Sequence, residues 1–151
     1  MKREHRLSDR FRFLTPLCLS SCIILAGCAS APPQPILFDR LGGLPAITAV
    51  VDKTIDSVAK DPRTSRTFKG IKLAGVKESV VEQLCEASGG PCKYKGASML
   101  KVHQDMEITS AEFDAFAQQL VATLDQFKVA TREKDELLQL LAPMKRDIVA
   151  K

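Results

Sequence analysis

An all-α fold is what this sequence predicts, and three observations carry the reading. Hydrophobic residues recur at three- and four-residue steps in several separate stretches, the spacing that lines one face of a helix. No stretch alternates with period two, as a half-buried strand would. Gly-Gly, Gly-Gly-Pro and Asp-Pro steps stand between the periodic stretches, where helices stop.

In order along the chain, Phe38 and Leu41 lead into a break at Gly42-Gly43. From Leu44 to Ala59, residues Ile47, Val50, Val51, Thr54, Ile55 and Val58 share one amphipathic face. Pro45 fits the first turn, where its missing N–H costs nothing, and Asp61-Pro62 ends the helix. A polar stretch carrying Phe68 follows. The next helix runs from about Leu73 to Ala87 with Val76, Val80, Val81 and Leu84 on one side, and Gly89-Gly90-Pro91 stops it. A short helix near 98–104 carries Met99, Leu100, Val102 and His103. Thr109-Ser110-Ala111-Glu112 reads as a capping box opening a long helix to about Phe127, with Phe113, Phe116, Ala117, Leu120 and Leu124 as its apolar face. The last helix spans about Thr131 to Val149 and contains Leu137, Leu138, Leu140, Leu141 and Ile148. Pro143 should kink it.

The first 27 residues read as an export signal. Lys2, Arg3, Arg6, Arg10 and Arg12 precede an apolar run from Phe13 to Gly27. That run is too short and broken for a span of about 20 apolar residues, and a basic head with a small-residue exit describes a secretory signal. Its exit, Leu25-Ala26-Gly27-Cys28, resembles a bacterial lipobox, in which the cysteine is lipidated and becomes the new N-terminus. Ala29 in place of Asp favours the outer membrane, so the expected location is the cell envelope, lipid-anchored and facing the periplasm. Residues 28–36 then form a lipidated cysteine and a Pro-rich tether, a semi-rigid spacer. Residues 37–151 form one domain with a single core.

Processing changes what the composition implies. Of 22 basic and 18 acidic residues, 17 and 16 remain, a balance of +1, so the basic pI gives no support to nucleic-acid binding. Cys18 and Cys22 leave with the signal, and Cys85 and Cys92 stay in the domain. In an oxidising compartment the two form either a disulfide or a pair of half-buried thiols. Of two histidines, His5 lies in the leader, which leaves His103 alone. One imidazole cannot build a multi-histidine zinc site, but it can be an axial ligand of haem iron.

Leu41-Gly42-Gly43, Gly89-Gly90-Pro91 with Tyr94 and Gly96, Met99 with Val102-His103-Gln104, Ile108-Thr109, Phe113 and Leu141-Ala142-Pro143 form an ordered set. With it, the stretch from Leu37 to Val149 resembles the group I truncated haemoglobins, whose fold is a shortened, 2-on-2 helical sandwich. The resemblance implies haem b as cofactor and diatomic gases (oxygen, nitric oxide, carbon monoxide) as ligands, with an electron donor it does not identify. It makes His103 the proximal iron ligand, with Nε2 on iron and Nδ1–H donated to a backbone carbonyl or water. It places Phe68 on the haem face, and Tyr94, Met99, Val102, Ile108, Phe113, Phe116, Leu120, Leu137 and Leu141 along the haem slot. Each of these also reads plainly as bundle core.

The distal side departs from the family. Where many members carry a tyrosine and a glutamine that stabilise oxygen, this chain has Ile55 and Val80, with Val76 one turn earlier and Leu84 beyond. None of these donates a hydrogen bond, and Thr54 is the nearest polar side chain in sequence. Oxygen is therefore expected to be held loosely. Two other readings compete with gas binding: a haem-free envelope interaction module, and a haem enzyme that removes nitric oxide. Peroxide turnover would want a distal base or cation, and the sequence shows none.

Overall fold

The structure, a computed structural model, describes residues 34–150. The export signal, the lipidation site Cys28 and most of the tether lie outside the described residues. Among them, every regular element is helical: α1 (Leu37–Arg40), α2 (Gly43–Val58), α3 (Leu73–Ala87), α4 (Met99–His103), α5 (Ser110–Gln126), α6 (Thr131–Leu141) and α7 (Lys145–Ile148). Two 3-10 turns complete the set, Ser65–Phe68 and Ala142–Met144.

The core forms because α2 turns one apolar stripe inward. Ile47, Val50, Val51, Ile55 and Val58 are all buried, and α2 packs on both α3 and α5. Leu84 of α3, Leu120 and Leu124 of α5, Leu137 of α6 and Leu37 of α1 close around it. Each such side chain contributes about 1.5–3 kcal/mol on leaving water. The α1–α6 contact is also held by Arg40, whose guanidinium donates to Glu133 and Glu136.

Helix ends follow local chemistry. Ser88 caps α3, after which Gly89 N–H donates to Glu86 O and Gly90 N–H to Cys85 O, at 3.0 and 2.8 Å. This is the paired bonding of a Schellman stop, with Gly89 in the left-handed region at φ +88°. A Cβ on Gly90 would sit 2.4 Å from the Phe38 ring, so that position admits only glycine without repacking. Thr109 and Glu112 form the capping box of α5 in both directions. Pro143 does more than kink the last helix. It divides the stretch into α6, a 3-10 turn and α7, because a ring without an N–H cannot continue the α ladder. Just beyond α7 the chain is tied back to the segment before α5 by Ala150 N–H donating to Ile108 O, 2.8 Å.

Candidate functional site

A cavity of about 790 Å³ opens between α2, α3, α4 and α5. Its inner wall comes from α2 and α3, where Val51, Thr54 and Ile55 face Val76, Val80 and Leu84. Phe68 closes one side from its 3-10 turn, Phe113, Phe116 and Leu120 enter from α5, and Leu138 and Leu141 enter from α6. The outer wall is α4 with the segment before it: Tyr94, Met99, Val102, His103 and, beyond, Ile108. Almost all of this lining is hydrocarbon, as a site for a large apolar ligand requires.

Residue by residue, the cavity collects the expected haem-slot positions with one exception. Leu137 is 2% exposed, lies in the core with α2 and does not line the cavity. This corrects its assignment to the haem slot. The next residue, Leu138, takes the place, because one residue of helix rotates a side chain by about 100° and Leu137 is drawn into the buried cluster that holds Leu37 of α1. The expected distal residues Thr54, Ile55, Val76, Val80 and Leu84 all line the cavity. Gln83, Ser79 and Met106 line it too, and the sequence reading missed them. Val76, Val80 and Gln83 stand at i, i+4 and i+7, so the helical repeat already held the signal for Gln83.

His103 is half-buried at the C-terminal end of α4, a short helix whose N-cap is Ser98. Its Nδ1 lies 2.8 Å from Met99 O, one turn back. A carbonyl only accepts, so this contact places the proton on Nδ1 and leaves Nε2 as a free lone pair. Tyr94 braces the approach to α4. Its hydroxyl donates to Ala97 O at 2.9 Å, and its N–H donates to Glu86 at 3.0 Å. The ring lies so close over Gly96 that a Cβ there would meet the hydroxyl at 2.2 Å.

At the far end, Arg66 forms an ion pair with Glu112 at 2.6 Å and also donates to Glu107 O at 2.8 Å. Burial alone would raise the Glu112 carboxyl, but bonds from the Thr109 N–H, Arg66 and the Thr109 hydroxyl outweigh it and hold the group below its usual range. Cys85, fully buried near the end of α3, is bonded to Cys92 across a Cα separation of 5.7 Å. The bridge joins the helix that forms the inner wall to the segment that leads to α4.

These residues fit a haem. The volume lies within the roughly 300–1,000 Å³ range of cofactor sites, the lining is apolar, and one imidazole has its second nitrogen already engaged, as metal-ligating histidines do. Fold and site together define a helical protein whose apolar cavity suits a haem and carries one imidazole on its wall. The bacterial-like globin family matches residues 36–150, and the chain belongs to it. It is 35% identical over 125 residues to a group 1 truncated haemoglobin of Mycolicibacterium paratuberculosis, covering 83% of this chain and 91% of that one. It is 30% identical over 118 residues to a group 1 truncated haemoglobin of Tetrahymena thermophila, covering 78% and 98%. The fold is that of the truncated haemoglobin of Tetrahymena pyriformis in its Fe(III) form, with a TM-score of 0.74 at 27% identity over 78% of this chain and all of that one. A 2/2 haemoglobin from a Synechococcus species, solved with covalently attached haem, gives 0.73 at 29% identity with the same coverage. Haem b is the cofactor of this family, and its function is haem-based gas binding.

Proposed function

We propose that this chain is an exported, lipid-anchored globin that binds small diatomic gases at a five-coordinate haem iron held by His103. The observation that carries the reading is the His103 ring, bonded through Nδ1 to Met99 O with Nε2 left free on the cavity wall. Bound haem supplies an iron centre with one open position for a gas. The chain supplies the rest. Met99 O fixes the tautomer of His103, Phe68, Phe113 and Phe116 line the apolar slot, and Ile55, Val76 and Val80 exclude water from the inner end. A dry pocket of this kind suits uncharged ligands such as carbon monoxide and nitric oxide. The location rests on Leu25-Ala26-Gly27-Cys28 and the Pro-rich stretch behind it, which support lipidation at Cys28 in the cell envelope.

The test is the absorption spectrum of residues 29–151 after haem addition. A sharp Soret band that shifts when the ferrous protein meets carbon monoxide is expected. His103→Ala should lose stable haem and regain it only with added imidazole. Haem kept by His103→Ala with an unaltered spectrum would falsify the ligand assignment. Export has its own check: mass spectrometry of the mature protein should find acyl chains on Cys28, and a mature chain starting elsewhere rules the anchor out.

A further inference from the structure

Among the described residues, the buried polar side chains that line the cavity are, with one exception, committed within the protein, whereas Ser79 and Lys72 stand at its exposed edge. Thr64 donates to Val58 O at 2.6 Å and Thr67 to Thr64 O at 2.8 Å. Gln83 donates to the Met144 sulfur, and Glu112 is held by Thr109 and Arg66. The exception is Thr54, which lines the cavity, is 2% exposed, and has no protein partner for its Oγ1 among the described residues. A threonine inside a helix ordinarily returns its hydroxyl to the carbonyl one turn back. Thr123 does this on α5, donating to Gln119 O at 2.9 Å. Thr54 does not, although it too sits within a regular helix.

We propose that the Thr54 hydroxyl is the hydrogen-bond donor to a small neutral ligand held in the cavity, the one buried and unpartnered hydroxyl beside the hydrocarbon of Ile55, Val76 and Val80. A buried hydroxyl without a partner costs roughly a tenfold factor in the folding equilibrium or more, so the position is retained at a cost to the empty protein and is satisfied when an acceptor enters. The hydroxyl is neutral and gives up no proton near neutral pH. It can therefore hold a ligand that carries partial negative charge without driving its chemistry onward, which selects for reversible binding. The proposal rests on the haem reading for the identity of the ligand, a diatomic gas at the iron.

Two variants test it. Thr54→Val keeps the shape and removes the hydroxyl, and Thr54→Ser keeps the hydroxyl. In the ferrous protein under carbon monoxide, Thr54→Val should raise the C–O stretching frequency while Thr54→Ser stays near the parent value. Oxygen dissociation should quicken roughly 3- to 10-fold in Thr54→Val, the worth of one neutral hydrogen bond. In the haem-free protein the same variant should shift the unfolding equilibrium toward the folded state, because a methyl replaces an unpaired hydroxyl. A stretching frequency identical in all three proteins, or a haem-free Thr54→Val less stable than its parent, overturns the proposal. A parent protein that takes up haem normally while showing either result leaves the haem reading intact. One that forms no carbon monoxide complex at all overturns both.

Discussion

Lys128 occupies the left-handed region at φ +57°, directly after the C-cap of α5. Its N–H donates to Asp125 O and that of Val129 to Leu124 O, both at 3.0 Å, the same stop that Gly89-Gly90 make for α3. A side chain in that conformation stores strain. Lys128→Gly should therefore stabilise the fold by about 1 kcal/mol, read as a higher midpoint in thermal unfolding with the haem spectrum unchanged. Glu112 sets a pH dependence. Its carboxyl titrates below its ordinary value of 4.5 in the folded protein, so the unfolded chain takes the proton first. The stability it contributes is present above pH 4.5 and is lost as pH falls through the lowered value. Asp56, Asp61 and Glu86 are lowered as well, Asp61 chiefly by its bonds from Arg63, and they act in the same direction. Denaturant titrations at stepped pH should show Glu112→Gln less stable than the parent near neutrality and converging with it in acid. Parallel curves at all pH values would assign the dependence elsewhere.

At the scale of elements, the register of α6 decides which leucine serves the site. Leu137 and Leu138 both lie one turn from Leu141, so spacing alone treats them as equals. Packing against α1 and α2 takes Leu137 into the core and leaves Leu138 on the cavity. Leu137→Ala should cost the fold about 2–5 kcal/mol in chemical denaturation, with the Soret position of whatever protein remains folded unchanged. Leu138→Ala should move the haem spectrum at a smaller loss of stability. The end of α3 is governed in the same way by a local crosslink. The Cys85–Cys92 bridge closes a loop across a sequence separation of seven, and so short a loop is worth about 2 kcal/mol. Cys92→Ser should melt lower by that amount, and reductant should bring the parent down to the same midpoint without affecting the variant. A parent indifferent to reductant under denaturing conditions would mean that the thiols are free in the folded protein.

For the molecule as a whole, the cavity is the feature around which the helices are arranged. Fifteen to seventeen residues of α2, α3 and α5 give helices long enough to be apolar along the core at one place and apolar along the cavity at another. Val51, Ile55, Leu84 and Leu120 do both, belonging to the core cluster and lining the cavity at once. Filling the slot should therefore stabilise the whole fold, since a ligand that binds only the folded state shifts unfolding by mass action. Haem addition is expected to raise the unfolding midpoint of the parent and to leave that of His103→Ala nearly unmoved. An equal rise in both would mean that haem is held by hydrophobic contact alone.

The helices and their caps were legible in the chain alone, because they rest on interactions within three or four residues, and the count of histidines is read from it directly. Thr109 and Glu112 spell a capping box, Gly89-Gly90 spells a stop, and His103 is the one histidine of residues 28–151. The ordered motifs carried the family resemblance as well. Which face of each helix meets which neighbour was settled by packing. Rotation about the α6 axis placed Leu137 and Leu138 on different sides, an outcome set by contacts between residues far apart in the chain, and Thr54 Oγ1 has no protein partner among the described residues where Thr123 has one. A periodic pattern marks a side chain as inward-facing, but burial against another helix and exposure to a cavity look alike until the helices are packed.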